Sequence, residues 1–317
     1  MEKNKLGNNE RYFSELRTAT FRKEQFDYIH TGIIDENGEM WTTTELDEAN
    51  TNQVYNQYRK KYGIPFPDEI IELRKHYGVS SAKMAEILGF GINQYRYYED
   101  GEVPSISNAR NIIAIRSNNM FLDFLEASRE TIGEKEYAKI LKHIKGIGDY
   151  QKPYPAPSVM TGYVSLSLEK IKTVMLYFIN KMDEIYVTKM NKLLFYTDFL
   201  SYKRHGYGMT GLEYAALPYG PVPDQWGKVY SSIPEVSMNE CIRYEQSSGI
   251  LLESNANANL DILSDIEKKV LKDVFHRFKD MNAKKISLVS HDEKGWIDNN
   301  AQKGYINYQY AFNLSMQ

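Results

Sequence analysis

Residues Lys192 to Trp226 read KLLFYTDFLSYKRHGYGMTGLEYAALPYGPVPDQW, and they change character halfway along. The first half continues the run VTKMNKLLFYTDFLSYKRHG, whose apolar residues recur at helical spacing and whose Gly206 is a natural helix stop. The second half combines Gly and Pro too densely for a helix, and only LEYAAL fits a short strand. Upstream, SLEKIKTVMLYFINKM predicts another amphipathic helix. Downstream, NECIRYE and GILLES predict strands, SDIEKKVLKDVFHRFKDM a capped helix and AKKISLVSHDEKGW one more.

Residues Gly146 to Ser158, GIGDYQKPYPAPS, hold three prolines and no apolar period, as a linker does. Before it, Thr18 to Thr44 alternates apolar and polar residues and turns at Asp35-Glu36-Asn37-Gly38, which predicts a hairpin of two or three strands. A helix to Gly63 follows, and Pro65 and Pro67 reset the chain. From Asp68, DEIIELRKHYG, SAKMAEILG and INQYRYYED predict three short helices, with SISNARNIIAIRSNNMFLDFLEASRE as a fourth and fifth. Ser80 or Ser81 caps the second of them. The fold class expected is mainly α with minor β. It divides into a hairpin module (1–66), a helix-turn-helix bundle (67–145), the linker (146–158) and a separate, predominantly helical domain (159–317).

At 317 residues with 42% apolar side chains the chain can build a core in each of two domains. No apolar run is long enough to span a membrane, Met1 is followed by EKNKLGNNER rather than an apolar signal, and the single cysteine, Cys241, permits no internal disulfide. The expectation is a cytoplasmic protein with no cofactor and no metal. The net charge of −3 advertises no nucleic-acid partner globally, and Asp68 to Arg116 holds six Lys/Arg against seven Asp/Glu. Any DNA contact must therefore be local. The 25 tyrosines suit an interface, since a Tyr joins a flat apolar body to a polar tip.

Two short helices joined at Gly89-Phe90-Gly91 form a helix-turn-helix pattern. The start of its second helix would enter the major groove, where Asn and Gln pair with adenine and Arg with guanine. That places Asn93, Gln94 and Arg96 as base readers, with Tyr97 beside them and Ser81 and Lys83 as phosphate contacts. In the second half, Lys192, Tyr196, Asp198, Tyr202 and Lys203 share helical spacings. A Lys-Asp-Tyr group can in principle do acid–base chemistry. The reading preferred here is structural: Asp198 and Lys192, the latter paired with a nearby carboxylate, fix the loop Pro218-Tyr219-Gly220-Pro221 by hydrogen bonds. Ser290-His291-Asp292, in adjacent positions, makes a poor triad and is expected to cap or pack. His205 is expected to complement a helix dipole.

The stretch EIIELRKHYGVSSAKMAEILGFGINQYRYYEDGEVPS resembles the Cro/repressor-like helix-turn-helix of MqsA-type antitoxins, through Gly89-Phe90-Gly91-Ile92-Asn93 and Tyr98-Glu99-Asp100-Gly101. The resemblance implies Asn93 as a base reader, while Tyr97 stands where that family has a second reading arginine. Those antitoxins begin with a four-cysteine zinc domain. Residues 1–66 contain no cysteine, so Phe21, Phe26, Tyr28, Ile33, Ile34 and Trp41 are expected to hold the module instead of a metal.

Lys192 to Trp226 resembles the central motif of the Panacea, or SocA-type antitoxin, domain, through Lys192 to Leu200, Thr210-Gly211 and Ala216-Leu217-Pro218-Tyr219-Gly220-Pro221-Val222-Pro223. This resemblance implies an antitoxin that binds a cognate protein toxin and is not an enzyme. With the first resemblance it implies operator DNA as a second partner and a possible homodimer. A proteolytic adaptor, or an enzyme built on the Lys192, Asp198 and Tyr219 region, are the rival readings.

Overall fold

The computed structural model describes residues 10–242 and 248–316. Residues Arg243 to Glu245 of the expected strand NECIRYE, and residues 1–9 of the expected first module, lie outside them. The chain is an α+β protein, mainly helical, with a small N-terminal sheet.

That sheet has the order β1 (Arg11–Phe21), β2 (Glu24–Ile34), β3 (Met40–Trp41). The single turn expected at Asp35–Gly38 is only the second of two. Strand β1 already begins at Arg11, and it turns into β2 at Arg22-Lys23, both in the left-handed region with φ of 48° and 70°. Two successive positive φ values suit a tight hairpin, but they favour Asn and Gly, so the sequence gives no warning of a turn here. Arg22 is held in place by its guanidinium, which donates to the carbonyls of Val103 (2.6 Å) and Pro104 (2.8 Å). The Asp35 carboxylate orders the second turn by accepting from the amides of Asn37 and Glu39. Phe26 and Ile33 are buried as expected, whereas Trp41 is partly exposed and carries little core.

Helix α1 (Thr44–Tyr62) is followed by α2 (Pro67–His76), α3 (Ser81–Ile87), α4 (Gln94–Glu99), α5 (Ile106–Ala114) and α6 (Asn118–Ala127). Beyond the helices expected from the pattern come α7 (Arg129–Ile132) and α8 (Glu134–Ile144). The chain forms two compact units that do not follow chain order: residues 18–28 and 52–156 make one, residues 1–17, 29–51 and 157–317 the other.

In the first of these units, Ile70, Leu73, Met84, Ile87, Tyr95, Ile112, Phe121 and Leu125 form one core, with Tyr77 stacked on Phe121 at 3.7 Å. A second cluster joins Phe26 to Val54, Tyr58, Ile64, Val103 and Ala109. Arg59, fully buried in α1, donates to the Gly101 carbonyl at 2.5 Å and to Asn56 Oδ1 at 3.1 Å. Gly101 itself sits at φ +110°, where a side chain would be strained. Two guanidiniums, Arg22 and Arg59, thus grip the backbone that leaves α4.

The other unit is built around one helix. From residue 157 onward its elements include α9 (Leu168–Ile179), α10 (Val187–His205), β4 (Tyr214–Leu217), β5 (Gly220–Pro223), α11 (Trp226–Ser231), β6 (Ser237–Ile242), β7 (Ser248–Glu253), α12 (Asp265–Phe278), α13 (Ala283–His291), α14 (Lys294–Asn299) and a 3₁₀ turn at Tyr308–Asn313. The amphipathic pattern expected of α10 is not what the fold uses. Helix α10 is surrounded by α9, α12, α13, β5, β7 and the 3₁₀ turn, and is buried from Lys189 through Lys203 without interruption. A helix enclosed on all sides must find partners inside the protein for every polar residue it carries.

The antiparallel pair β4–β5 joins Tyr214 to Pro223 and Leu217 to Gly220. On its other edge β4 meets the 304–306 segment, with Ala216 N donating to Gly304 O and Ile306 N to Tyr214 O. Pro221 and Pro223 have no N–H, which confines β5 to an edge and leaves only Gly220 and Val222 as its amide donors.

Candidate functional site

The polar residues of α10 divide into satisfied and unsatisfied groups. Asp198, fully buried, accepts from Met209 N and Thr210 N (both 2.7 Å), Thr210 Oγ1 (2.5 Å) and Tyr214 OH (2.6 Å). Burial pushes its carboxyl up, and the four donors pull it back. Asp198 therefore fixes the segment from Met209 to Tyr214. The expectation that it fixes the loop Pro218 to Pro221 is corrected: that loop is the far end of the hairpin that begins at Tyr214, and the hydrogen bonds of Asp198 stop at Tyr214.

Tyr196 donates to Glu293 Oε1 (3.1 Å), and the same buried carboxylate accepts from Ser315 N and Ser315 Oγ. Lys203 Nζ donates to the carbonyls of Leu314 and Met316, at 3.2 and 2.9 Å, with burial lowering its amine to about 8. Tyr202 OH accepts from Gln309 Nε2 (2.9 Å). Together these contacts fasten residues 309–316 onto the central helix. His205 corrects its expectation too, because burial first, then Arg204 and Lys269, holds its imidazole at about 4. A neutral ring cannot complement a helix dipole as a cation does.

Lys192 is different. It is fully buried, and its Nζ has no hydrogen-bond partner among the described residues, so the expected carboxylate pairing does not occur. Burial alone lowers its amine to about 7. It lies under Gly220, at φ +101°, where a Cβ would collide with Ser290 Oγ and stand 2.7 Å from Lys192 Cε and 3.2 Å from Nζ. His291 Nε2 and Ser287 Oγ, from α13, are also buried without a partner among the described residues. The His291 ring stacks on Trp296 at 4.1 Å, and Trp296 Nε1 donates to Leu217 O at 2.8 Å. Burial and the nearby Lys192 lower the His291 imidazole, against Asp292 and the Pro218 backbone. Above this layer Tyr219 projects with 76% of its surface exposed.

Of the eight motif residues expected here, Lys192, Pro218, Tyr219, Gly220 and Pro221 come together at the β4–β5 turn. Tyr196 and Tyr202 serve the C-terminal segment, and Asp198 serves Met209–Tyr214. Lys192 and Asp198 do not share a site. Glu293 was not singled out by the sequence, and Ser290 and His291 were expected only to cap or pack; Ser287, Ser290 and His291 stand at helical spacings that put them on one face.

Residues 190–297 match the family model for the antitoxin SocA-like, Panacea domain. No curated protein and no solved structure matches the chain. The Panacea match takes in α10 through most of α14 and stops short of the 3₁₀ turn and the C-terminal segment that α10 fastens. It covers no part of residues 1–189, so it carries nothing about α3 and α4.

There the geometry is as follows. Ser80 is the cap of α3, its hydroxyl accepting from Lys83 N, and Ser81 is half-buried behind it. Asn93 precedes α4 without using its side chain as a cap, and Asn93, Arg96 and Tyr97 are exposed together with Ile92. Gln94 is engaged with Glu102 (3.0 Å) and Lys83 with Glu86 (2.6 Å). Tyr95 and Tyr98 point inward, donating to Ile70 O and accepting from Asn108 Nδ2. No helix of the described residues is long and apolar enough to cross a membrane.

Proposed function

We propose that this protein is the antitoxin of a type II toxin–antitoxin pair, acting in the cytoplasm. Its Panacea domain neutralises a cognate protein toxin by direct binding, without covalent chemistry. The observation that carries the reading is the Panacea match at residues 190–297. The turn Leu217–Gly220 supports it: a short, proline-flanked hairpin loses little entropy when a partner docks, and an exposed Tyr at its tip suits a hot spot. The toxin-binding surface would centre on Pro218, Tyr219, Gly220 and Pro221, with Lys192, Tyr196, Asp198 and Tyr202 as its frame.

The same protein represses its own operon through α3 and α4, as a helix-turn-helix that reads operator DNA, as a homodimer on an inverted repeat. The exposed Asn93, Arg96 and Tyr97 would reach base edges, with Gln94 beside them. Ser81 and Lys83 would contact phosphates after Lys83 leaves Glu86. The test is co-expression of the chain with the product of the neighbouring reading frame. Growth rescue together with co-purification is the expected result. Rescue by a Tyr219→Ala variant that no longer co-purifies with an intact toxin would replace sequestration with an enzymatic or adaptor role.

A further inference from the structure

Strand β1 is an outer strand of the N-terminal sheet, whose order is β1-β2-β3. Over its 11 residues, Arg11–Phe21, no residue is fully buried, and Leu16 keeps 69% of its surface exposed. Among the described residues no backbone hydrogen bond joins β1 to anything but β2. A long open edge is a template for another strand, and proteins blunt such edges with Pro, Lys, a bulge or a cover. The strand RYFSELRTATF contains no Pro, no Lys and no Gly.

The hairpin fixes which backbone groups point outward. Its turn is the two residues Arg22-Lys23, so Phe21 lies opposite Glu24. The same register continues down the strand, where Thr18 Oγ1 donates to Asp27 Oδ1 (2.6 Å) and the Ser14 and Thr31 hydroxyls meet at 3.2 Å. The closing pair of a two-residue hairpin exchanges both of its hydrogen bonds. Every second residue back from Phe21 therefore bonds inward to β2, and the amides and carbonyls of Tyr12, Ser14, Leu16, Thr18 and Thr20 face outward.

We propose that β1 pairs with β1 of a second copy of this chain, antiparallel and centred on Leu16, making one sheet of three strands from each copy. Leu16 is the midpoint of the strand, so this register alone overlaps all 11 residues. It sets Leu16 against Leu16 of the other copy, Ser14 against Thr18 and Tyr12 against Thr20, all with outward-facing backbone groups. It also sets Glu15 of each copy opposite Arg17 of the other, in the pairs whose side chains approach most closely. Glu15 and Arg17 already share a face, with Arg17 Nη2 at 2.6 Å from Glu15 Oε1, so the dimer would join four alternating charges. Moving the centre by one residue puts Glu15 against Glu15 or Arg17 against Arg17, which like charge disfavours. Self-complementarity in a single register is what a two-fold interface between identical chains requires, and a strand from an unrelated protein would have no need of it. On the Leu16 face the strand borders a cleft of about 410 Å³ lined by Ser14, Leu16, Ile29, Gln309, Tyr310 and Phe312, which Leu16 of the second copy would help to close.

This gives the homodimer of the operator-reading proposal its interface, and it rests on that reading only for the use of the dimer. The test involves neither DNA nor toxin, so either can fail while the other stands. Sedimentation equilibrium of the full chain should show a dimer. Glu15→Arg and Arg17→Glu each set like charges opposite one another twice, and each should weaken association by about tenfold or more. The two side chains are 49% and 40% exposed, so neither change disturbs a core, and circular dichroism checks the folding of both variants. An equimolar mixture of the two variants restores both opposite-charge pairs and should dimerise as the wild type does, which a general loss of stability would not produce. The register is read by cross-linking in a Cys241→Ser background. Leu16→Cys should form an intermolecular disulfide, its Cα atoms being about 5.5 Å apart across the two-fold axis, whereas Ser14→Cys, more than about 13 Å from its counterpart, should not. A monomeric wild type, single variants that dimerise as tightly as the wild type, a mixture no tighter than its components, or cross-linking at Ser14 in place of Leu16 overturns the proposal.

Discussion

Replacing Lys192 by methionine should stabilise the protein, and the gain should depend on pH in one direction. Burial holds the Lys192 amine at about 7 instead of its ordinary 10.5. Above about pH 10.5 the group is neutral in both folded and unfolded chains and carries no penalty. As the pH falls below that, the unfolded chain takes up a proton that the folded chain refuses. The folded state then loses about 1.4 kcal/mol per pH unit until the folded amine itself titrates near pH 7. Below pH 7 the penalty is constant. The full interval corresponds to about 5 kcal/mol, an upper bound because local relaxation lets some solvent reach the charge. Methionine fills nearly the same volume without the amine. Urea unfolding of both proteins at pH 7, 8.5 and 10 should show a gain of about 2–5 kcal/mol at pH 7 that shrinks towards zero at pH 10. A variant that is less stable at pH 7, or a difference that does not change with pH, would refute the isolation of this amine.

Three further outcomes are expected. Asp198→Asn keeps the shape but faces the Thr210 and Tyr214 hydroxyls with a donor, so thermal unfolding should register a loss of about 3 kcal/mol. Arg59→Met leaves the Gly101 carbonyl and Asn56 Oδ1 without their buried donor, at about 1–3 kcal/mol each, measurable by denaturant titration. If α4 reads DNA, Asn93→Ala and Arg96→Ala should each weaken promoter binding by about 1–3 kcal/mol at fixed salt; unchanged gel-shift affinity in the double variant would remove α4 as the reader.

The sequence announces what local chemistry dictates. Helix ends with a Ser cap or a Gly stop were legible at Ser80, Ser264 and Gly206, because a cap is a contact between residues three or four apart. The Panacea motif was legible as a pattern of residues. The turn at Arg22-Lys23 was not, since its conformation is enforced by bonds to Val103 and Pro104, some eighty residues away. The burial of α10 on every side was hidden for the same reason: its seven or more polar residues look like a solvated face until Glu293, Thr210 and the carbonyls of Leu314 and Met316 are brought to them. The isolation of Lys192 is the extreme case. Its spacing to Tyr196 and Asp198 suggested a shared site, yet those two side chains turn to different partners, and the lysine meets Gly220 and α13 instead.

The central claim is that protection comes from stoichiometric binding by the Panacea domain. The most direct test is titration of the purified full chain into a fixed amount of the product of the neighbouring reading frame, with the toxic activity of that product as the readout. Direct binding predicts inhibition that rises linearly and breaks at a fixed molar ratio, with toxin recovered intact and active once the complex is dissociated. Complete inhibition at a small fraction of that ratio, or toxin that stays inactive after separation, would contradict it.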